Sequence, residues 1–357
     1  MFRSNHDSPN NTRVGGTFGG NFTLRGFNND GLALFSTTPS IVGGQTYALF
    51  LKRVGETASV VFAKGDGVPG GTTEVFNTTN QATLNEDGDV AFLASLQGGS
   101  IPYGWFFLES GDTVLDAIAL ESKPTPVGGA FGLAMELAAC RMNGNGQVAF
   151  WAEILGPNDS GLFLWTPGAG TQAVVTTMDT LPAKANTIVR TFTPDASDDR
   201  MYFVAWKAGG RITAFARPLP PAKEQFIRLV GEGDAAPGIG GRIWGLSTYT
   251  PANDNEEALF SSLVFNADRY PATLIFTHHP SFGLRKVAAA GDAAPGAAGG
   301  SFNSVSITPR SGHEASTAAA GSPSTGTPMR RAPNLESSSP QPPVLRWPSR
   351  AGAMLRQ

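Results

Sequence analysis

The 357-residue chain contains one cysteine, Cys140, and only four histidines. A single thiol excludes an intrachain disulfide and any metal site built from several cysteines. It stands beside Ala138 and Ala139, just before a turn sequence. That setting reads as a small core residue, with a reactive thiol as the alternative. Charge is also scarce: Asp, Glu, Lys and Arg make up 15% of the chain and the formal net charge is −3. Such a balance gives no basic footprint for nucleic acid. No hydrophobic run is long enough to span a bilayer. Met1–Pro9 lacks the apolar stretch of a secretory signal, so the chain either stays in the cytoplasm or derives from a longer exported precursor. Helical periodicity is nearly missing. So are the Gly-x-x-x-x-Gly-Lys-Ser/Thr loop, the Gly-x-Ser-x-Gly elbow and His-Glu-x-x-His. Gly231-x-Gly233 does not open a helix and lacks a third glycine. No catalytic, cofactor-binding or metal-ligating set is expected.

What the chain does have is glycine (44), proline (26) and 41% hydrophobic side chains, a mixture suited to short strands joined by tight turns. It also has a repeat. Asn85-Glu86-Asp87-Gly88-Asp89-Val90-Ala91-Phe92 has counterparts at Asn28–Phe35, Asn143–Phe150 and Asn253–Phe260, with a worn copy at Ala196–Phe203. The closing residues Phe35, Phe92, Phe150, Phe203 and Phe260 are separated by 57, 58, 53 and 57 positions. A Gly-Gly pair opens units at Gly15, Gly70, Gly128, Gly240 and Gly299. Before it comes Gly-Asp-x-x-Pro-Gly, seen at Gly65–Gly70, Gly233–Gly238 and Gly291–Gly296. Three landmarks with one period mean a supersecondary unit copied and stacked.

Each unit reads as β structure. Val90, Phe92, Ala94 and Leu96 share one face at period two. The preceding Asn-x-Asp-Gly is turn chemistry: the Asn and Asp side chains bond their own backbone, and glycine accepts positive φ. Third strands read at 48–51, 104–108, 161–165 and 273–276, and fourth strands at 59–62, 174–176, 226–230 and 286–288. A four-stranded unit cannot cover both faces of its own sheet, so copies must stack. The expected fold is an all-β propeller of four-stranded antiparallel blades, with a linear β-solenoid as the alternative. The expected boundaries are a disordered segment 1–14 and a repeat domain 15–309. Its repeats run about 15–69, 70–127, 128–183, 184–239 and 240–298, with a partial sixth at 299–309. The segment 310–357 is rich in Ser, Pro and Arg, lacks Lys, Phe, Tyr and Ile, and shows no period. A disordered tail is expected there. Its six Arg against two Glu suit either a solvated tail or an anionic surface.

These landmarks resemble the bacterial tandem-repeat proteins named for their NxxGxxAF motif, over roughly residues 15–309. Asn85, Gly88, Ala91 and Phe92 fit it in full, as do Asn143, Gly146, Ala149 and Phe150. Asn28, Gly31 and Phe35 carry Leu34 in the alanine position. Asn253 and Phe260 carry Glu256 and Leu259 at the glycine and alanine positions, and the fourth copy keeps only Phe203. The resemblance implies an extracellular or surface-associated protein. It implies no catalytic activity or ligand.

Candidate chemistry has competing readings. Asp66, Asp234 and Asp292 recur at one place in the repeat; they are either a ring of ligand-binding carboxylates or caps on the turn that follows. Glu121-Ser122-Lys123-Pro124 breaks that pattern in the second unit. Asn85, Asp87 and Asp89 alternate oxygens as calcium ligands do, but the copy at Asn143, Asn145 and Gln147 has no carboxylate, which favours turns. His278 and His279 would need borrowed carboxylates to hold a metal. Trp105, Trp151, Trp165, Trp206 and Trp244 suit packing between sheets or a sugar-stacking platform. Two functions follow. One is a non-catalytic, monomeric binding or scaffold module that engages a glycan or protein through its loops. The other is a glycosidase or lyase with non-repeated carboxylates, for which Glu136, Glu153 and Asp195–Asp199 are the acids to inspect.

Overall fold

Turn chemistry decides where each strand begins. Gly31, Gly88 and Gly146 sit at φ of 75°, 94° and 70°, a region open to glycine and costly for other residues. The chain therefore reverses at each of these points and enters a strand. The computed structural model describes residues 18, 22–38, 40–41, 44–45, 47–132, 140–156, 159–177, 179, 187–188, 195–196, 200–207, 211–219, 226–247, 251–253, 255–265, 271–296 and 299–307. All lie in the first of two compact units, Met1–Gly321; the second is Ser322–Gln357. The expectations for 1–14 and 310–357 fall outside the described residues.

Every described element is a strand, turn or irregular segment, and the fold is all-β. No helix among the described residues is long and apolar enough to cross a membrane. The first sheet has the order β1 (Phe22–Phe27), β2 (Leu32–Thr37), β5 (Ala48–Arg53), β6 (Ser59–Ala63). A small hairpin, β3 (Ser40–Ile41) with β4 (Gly44–Gln45), is inserted between its middle strands and was not legible in the sequence. The second sheet runs β7 (Val75–Leu84), β8 (Val90–Gln97), β9 (Tyr103–Leu108), β10 (Leu115–Leu120). In the third, β11 (Ala130–Gly132) and β12 (Cys140–Met142) share the edge of β13 (Val148–Leu155), followed by β14 (Asp159–Thr166) and β15 (Gly170–Thr176). The fourth repeats that plan with β16 (Thr187–Ile188), β17 (Asp195–Ala196), β18 (Arg200–Lys207), β19 (Ile212–Pro218) and β20 (Ile227–Gly231). The fifth is β21 (Arg242–Leu246), β22 (Ala258–Phe265), β23 (Pro271–His279), β24 (Gly283–Ala289). All pairings are antiparallel, and each sheet falls within one sequence repeat. Leading strands of successive sheets are neighbours: β7 lies against β1, β12 against β7, and β17 against β12.

The motif phenylalanine has a partner that the sequence reading missed. Phe35, Phe92, Phe150, Phe203 and Phe260 stand opposite Phe50, Phe106, Phe163, Phe215 and Phe276 on the third strand of their own sheets. Ring centroids are 5.4 to 5.7 Å apart in all five pairs. Such a pair adds about 0.5–1.5 kcal/mol beyond the burial of its rings. From the second sheet on, each pair faces the preceding sheet and its sequence neighbours face the next, whereas Phe35 and Phe50 pack with Phe18 of their own repeat. Phe92 and Phe106 thus share a core with Leu34, Leu49 and Val61 of the first sheet. Ala91, Leu93 and Phe107 share another with Phe150 and Phe163 of the third. Alternation along one strand is what fastens both sheet faces. The opening of the sixth repeat joins this scheme, because Val305 and Ile307 pack on Ile275 of the fifth sheet.

The motif asparagine links repeats as well as turning the chain. Asn28 Oδ1 accepts the Leu32 N–H, while its Nδ2 donates to the carbonyls of Asn85 and Glu86 in the next repeat, at 3.2 and 3.1 Å. Asn85 does the same one step on: its Oδ1 accepts the Asp89 N–H and its Nδ2 donates to the Asn143 carbonyl at 3.3 Å. All three asparagines are buried. Between the fourth and fifth repeats the device changes to an ion pair, Arg200 to Glu256 at 3.2 Å.

Candidate functional site

The described residues bound a groove of about 750 Å³ between the first and second sheets, at the end where the motif turns lie. Its floor is aliphatic: Leu32, Leu51, Val60, Val61 and Leu108. Its rim carries Arg53 from the end of β5, Glu56 from the β5–β6 loop, and Glu109, Asp112 and Thr113 from the β9–β10 loop. Local chemistry fixes that rim. Asp89 is buried; its Oδ1 accepts the Ser110 N–H at 2.8 Å and its Oδ2 accepts the Asn85 amide at 2.9 Å. The β9–β10 loop is thereby tied to the motif turn. Asp112 Oδ1 accepts the N–H groups of Thr113 and Val114, which closes the loop. Glycine suits position 88 because its φ of 94° strains any residue with a Cβ, which would also stand 2.8 Å from Ser110 Oγ. A smaller cavity of about 160 Å³ shares Val61 and Thr113 with the groove and is lined by Asp66.

The three repeated acids all sit on the connection from a fourth strand to the next leading strand. Each accepts the N–H three residues earlier: Ala63 for Asp66, Gly231 for Asp234 and Ala289 for Asp292, at 2.8 to 2.9 Å. The carboxylates reach back to the strand they follow rather than forward into the Pro-Gly turn. Asp234 also pairs with Arg228, and Asp292 with Lys286, both at 2.8 Å. The Lys286 hydrogen bond, then the Ala289 N–H, holds the Asp292 carboxyl below its ordinary value. The second repeat departs less than its sequence suggests. Ser122 takes φ of 63° where Gly65, Gly233 and Gly291 take 92° to 96°. Its N–H donates to Phe131 as those of Gly65, Gly233 and Gly291 donate to Phe76, Ile243 and Phe302, so Lys123 stands in the aspartate position. In the third repeat Asp179 accepts the Thr176 N–H in the same way, a copy that keeps the proline three residues on, Pro182, but lacks the glycines that flank the others.

One buried carboxylate had no sequence signal. Glu74 is 4% exposed, and its two oxygens accept the N–H groups of Thr72, Thr73, Ser100 and Ile101. Donation from Thr72, then from its own and the Thr73 amides, pulls its pKa down to about 2. The folded value is depressed, so this carboxylate stabilises the fold above the ordinary carboxylate range, and that contribution disappears as pH falls toward 2.

The remaining candidates are placed as follows. Asn85 and Asp89 turn toward each other and the backbone, and Asp87 is exposed. Among the described residues no group of three or more His, Cys, Asp or Glu is arranged to hold a metal ion. His278 is pushed below its ordinary pKa by burial and then by His279, whose Nδ1 accepts the Ser281 N–H. Cys140 is buried in the core between the second and third sheets, and desolvation raises its pKa to about 12. Trp105, Trp151 and Trp165 are buried between sheets, whereas Trp244 is 57% exposed and meets Phe265 edge-on at 5.8 Å. Glu153 is exposed on β13. Glu136 and 197–199 lie outside the described residues, as do the side chains of Asp195 and Trp206.

Residues 1–193 match the model of a family of unknown function, DUF7453. No curated protein matches the chain in sequence. Among solved structures, a prolyl endopeptidase is similar at 12% identity and a TM-score of 0.44, over 77% of this chain and 36% of that one. Prolyl oligopeptidase B from Galerina marginata is similar at 10% identity and 0.41, over 74% and 33%. A polysaccharide lyase, Uly1, is similar at 11% identity and 0.37, over 71% and 57%. The chain thus spans between about a third and somewhat over half of these proteins.

Proposed function

The chain belongs to the DUF7453 family of unknown function, and we propose that it is a non-catalytic, propeller-type binding or scaffold module. In this reading the five sheets are blades with their leading strands toward a common axis, and the module works as a monomer at the cell surface or outside the cell. The observation that carries it is the groove between the first two sheets. Loops of two successive repeats wall it, and a buried aspartate and tight turns hold those loops in place. A rigid concavity built from loops on a repeated scaffold is the usual form of a recognition site. The repeated acids support the same reading, because Asp66, Asp234 and Asp292 are each engaged by a backbone N–H of the strand they follow.

The test is a screen of the full chain by thermal shift against glycans and candidate proteins, with product analysis on polysaccharides. A partner that binds only the folded form raises the melting temperature. The expected result is a rise in melting temperature with the partner recovered intact. Release of reducing ends or unsaturated sugar products would replace this reading with that of a glycosidase or lyase.

A further inference from the structure

The groove has a chemical character that narrows its occupant. Among the described residues no aromatic side chain lines it to give a sugar ring a stacking platform; its floor is aliphatic and continuous with the core between the first two sheets. Its surroundings are acidic. Glu56, Glu109 and Asp112 stand on the rim, and Asp30, Glu86 and Asp87 on the adjoining motif turns. The two basic residues at that edge are held by their own chain: Lys52 Nζ donates to the Glu56 carbonyl, and Arg53 lies 3.8 Å from Asp30. The acidity is local. The corresponding loops of the third repeat, Asn143–Gln147 and Thr166–Gly170, carry no charged residue.

From this pairing of an aliphatic floor with an acidic rim, we propose that the groove takes an extended segment of a partner protein in which basic residues alternate with aliphatic ones. The proposal rests on the reading of the chain as a binding module and names its ligand class. Alternation sends aliphatic side chains to the floor and ammonium or guanidinium groups to the rim, as in other extended-peptide sites. Charge complementarity sets register and speeds encounter, and the aliphatic contacts slow release.

The test measures anisotropy of a labelled peptide of alternating lysine and leucine with the full chain. A glutamate–leucine peptide and a lysine–serine peptide serve as comparisons. The lysine–leucine peptide should bind at least about tenfold more tightly than either, and added salt should weaken it. Glu56→Lys with Glu109→Lys should lower its affinity about tenfold or more. Both positions are exposed, and an unchanged melting temperature would show that the variant folds. A charge-matched control, Asp116→Lys with Glu153→Lys, lies off the groove and should leave binding unchanged. Three results would overturn the assignment: no peptide binding, equal binding of all three peptides, or equal loss in the control. If another partner then binds and the groove variant leaves that binding intact, the module reading survives without this ligand; polysaccharide cleavage removes the module reading itself.

Discussion

The junctions among the first three repeats and the junction between the fourth and fifth use different chemistry at the same place. In the first group, Asn28 and Asn85 donate from buried positions to the backbone of the following repeat. In the second, Arg200 meets Glu256, with side chains 21% and 30% exposed. Glu256 occupies the glycine position of its motif and takes φ of 61°. The centres of the sheets do not differ, since each has a cross-strand phenylalanine pair in the same register. The core of a repeat and its fastening to the next are thus separable. A worn motif can keep the first while replacing the second.

Several variants would sharpen or break that contrast. Phe92→Ala and Phe260→Ala should each cost about 3–5 kcal/mol in urea unfolding, because both rings are fully buried and leave a cavity. A large difference between them would mean that the cores are not equivalent. Asn85→Ala should cost about 2–3 kcal/mol, since Asp89 and the Asn143 carbonyl lose a buried donor. Asn253→Ala, at an exposed turn, should cost about 1 kcal/mol or less. Comparable losses would erase the distinction between the two junctions. Arg200→Met should cost about 0.5–1 kcal/mol, shrinking with added salt as expected of a partly exposed pair. Smallest is Ser122→Gly, which should raise stability by some tenths of a kcal/mol. It relieves a positive φ at the position where three other repeats have glycine, against the entropic cost of glycine.

Strand order and the turns at Gly31, Gly88 and Gly146 were legible because period-two hydrophobicity and Asn-x-x-Gly act within a few residues. Partners across strands were less visible. Phe50 and Phe106 stand in plain apolar runs, and only register shows that they pair with Phe35 and Phe92. The donation from Asn28 to Asn85 crosses a full repeat, so the asparagine reads as a local turn residue until the sheets are stacked. Asp179 was hidden because Met178 and Ala183 replace the glycines that bracket the other copies, which leaves Pro182 as the one trace of the pattern. The groove left no pattern at all. Glu56, Glu109 and Asp112 are unremarkable loop acids in sequence, brought together only when the β5–β6 and β9–β10 loops meet. Glu74 was invisible for the same reason, since two of its four donors come from a loop more than twenty residues away.

The account depends most on the motif asparagine joining one repeat to the next, and Asn28→Asp tests this directly. Aspartate can still accept the Leu32 N–H and form the turn, but it presents an acceptor to the Asn85 and Glu86 carbonyls where Asn28 donates. Urea unfolding of this variant should show a loss of about 2 kcal/mol or more. Stability within about 0.5 kcal/mol of the parent would mean that the asparagine serves only its own turn, and the linkage between repeats would have to lie elsewhere.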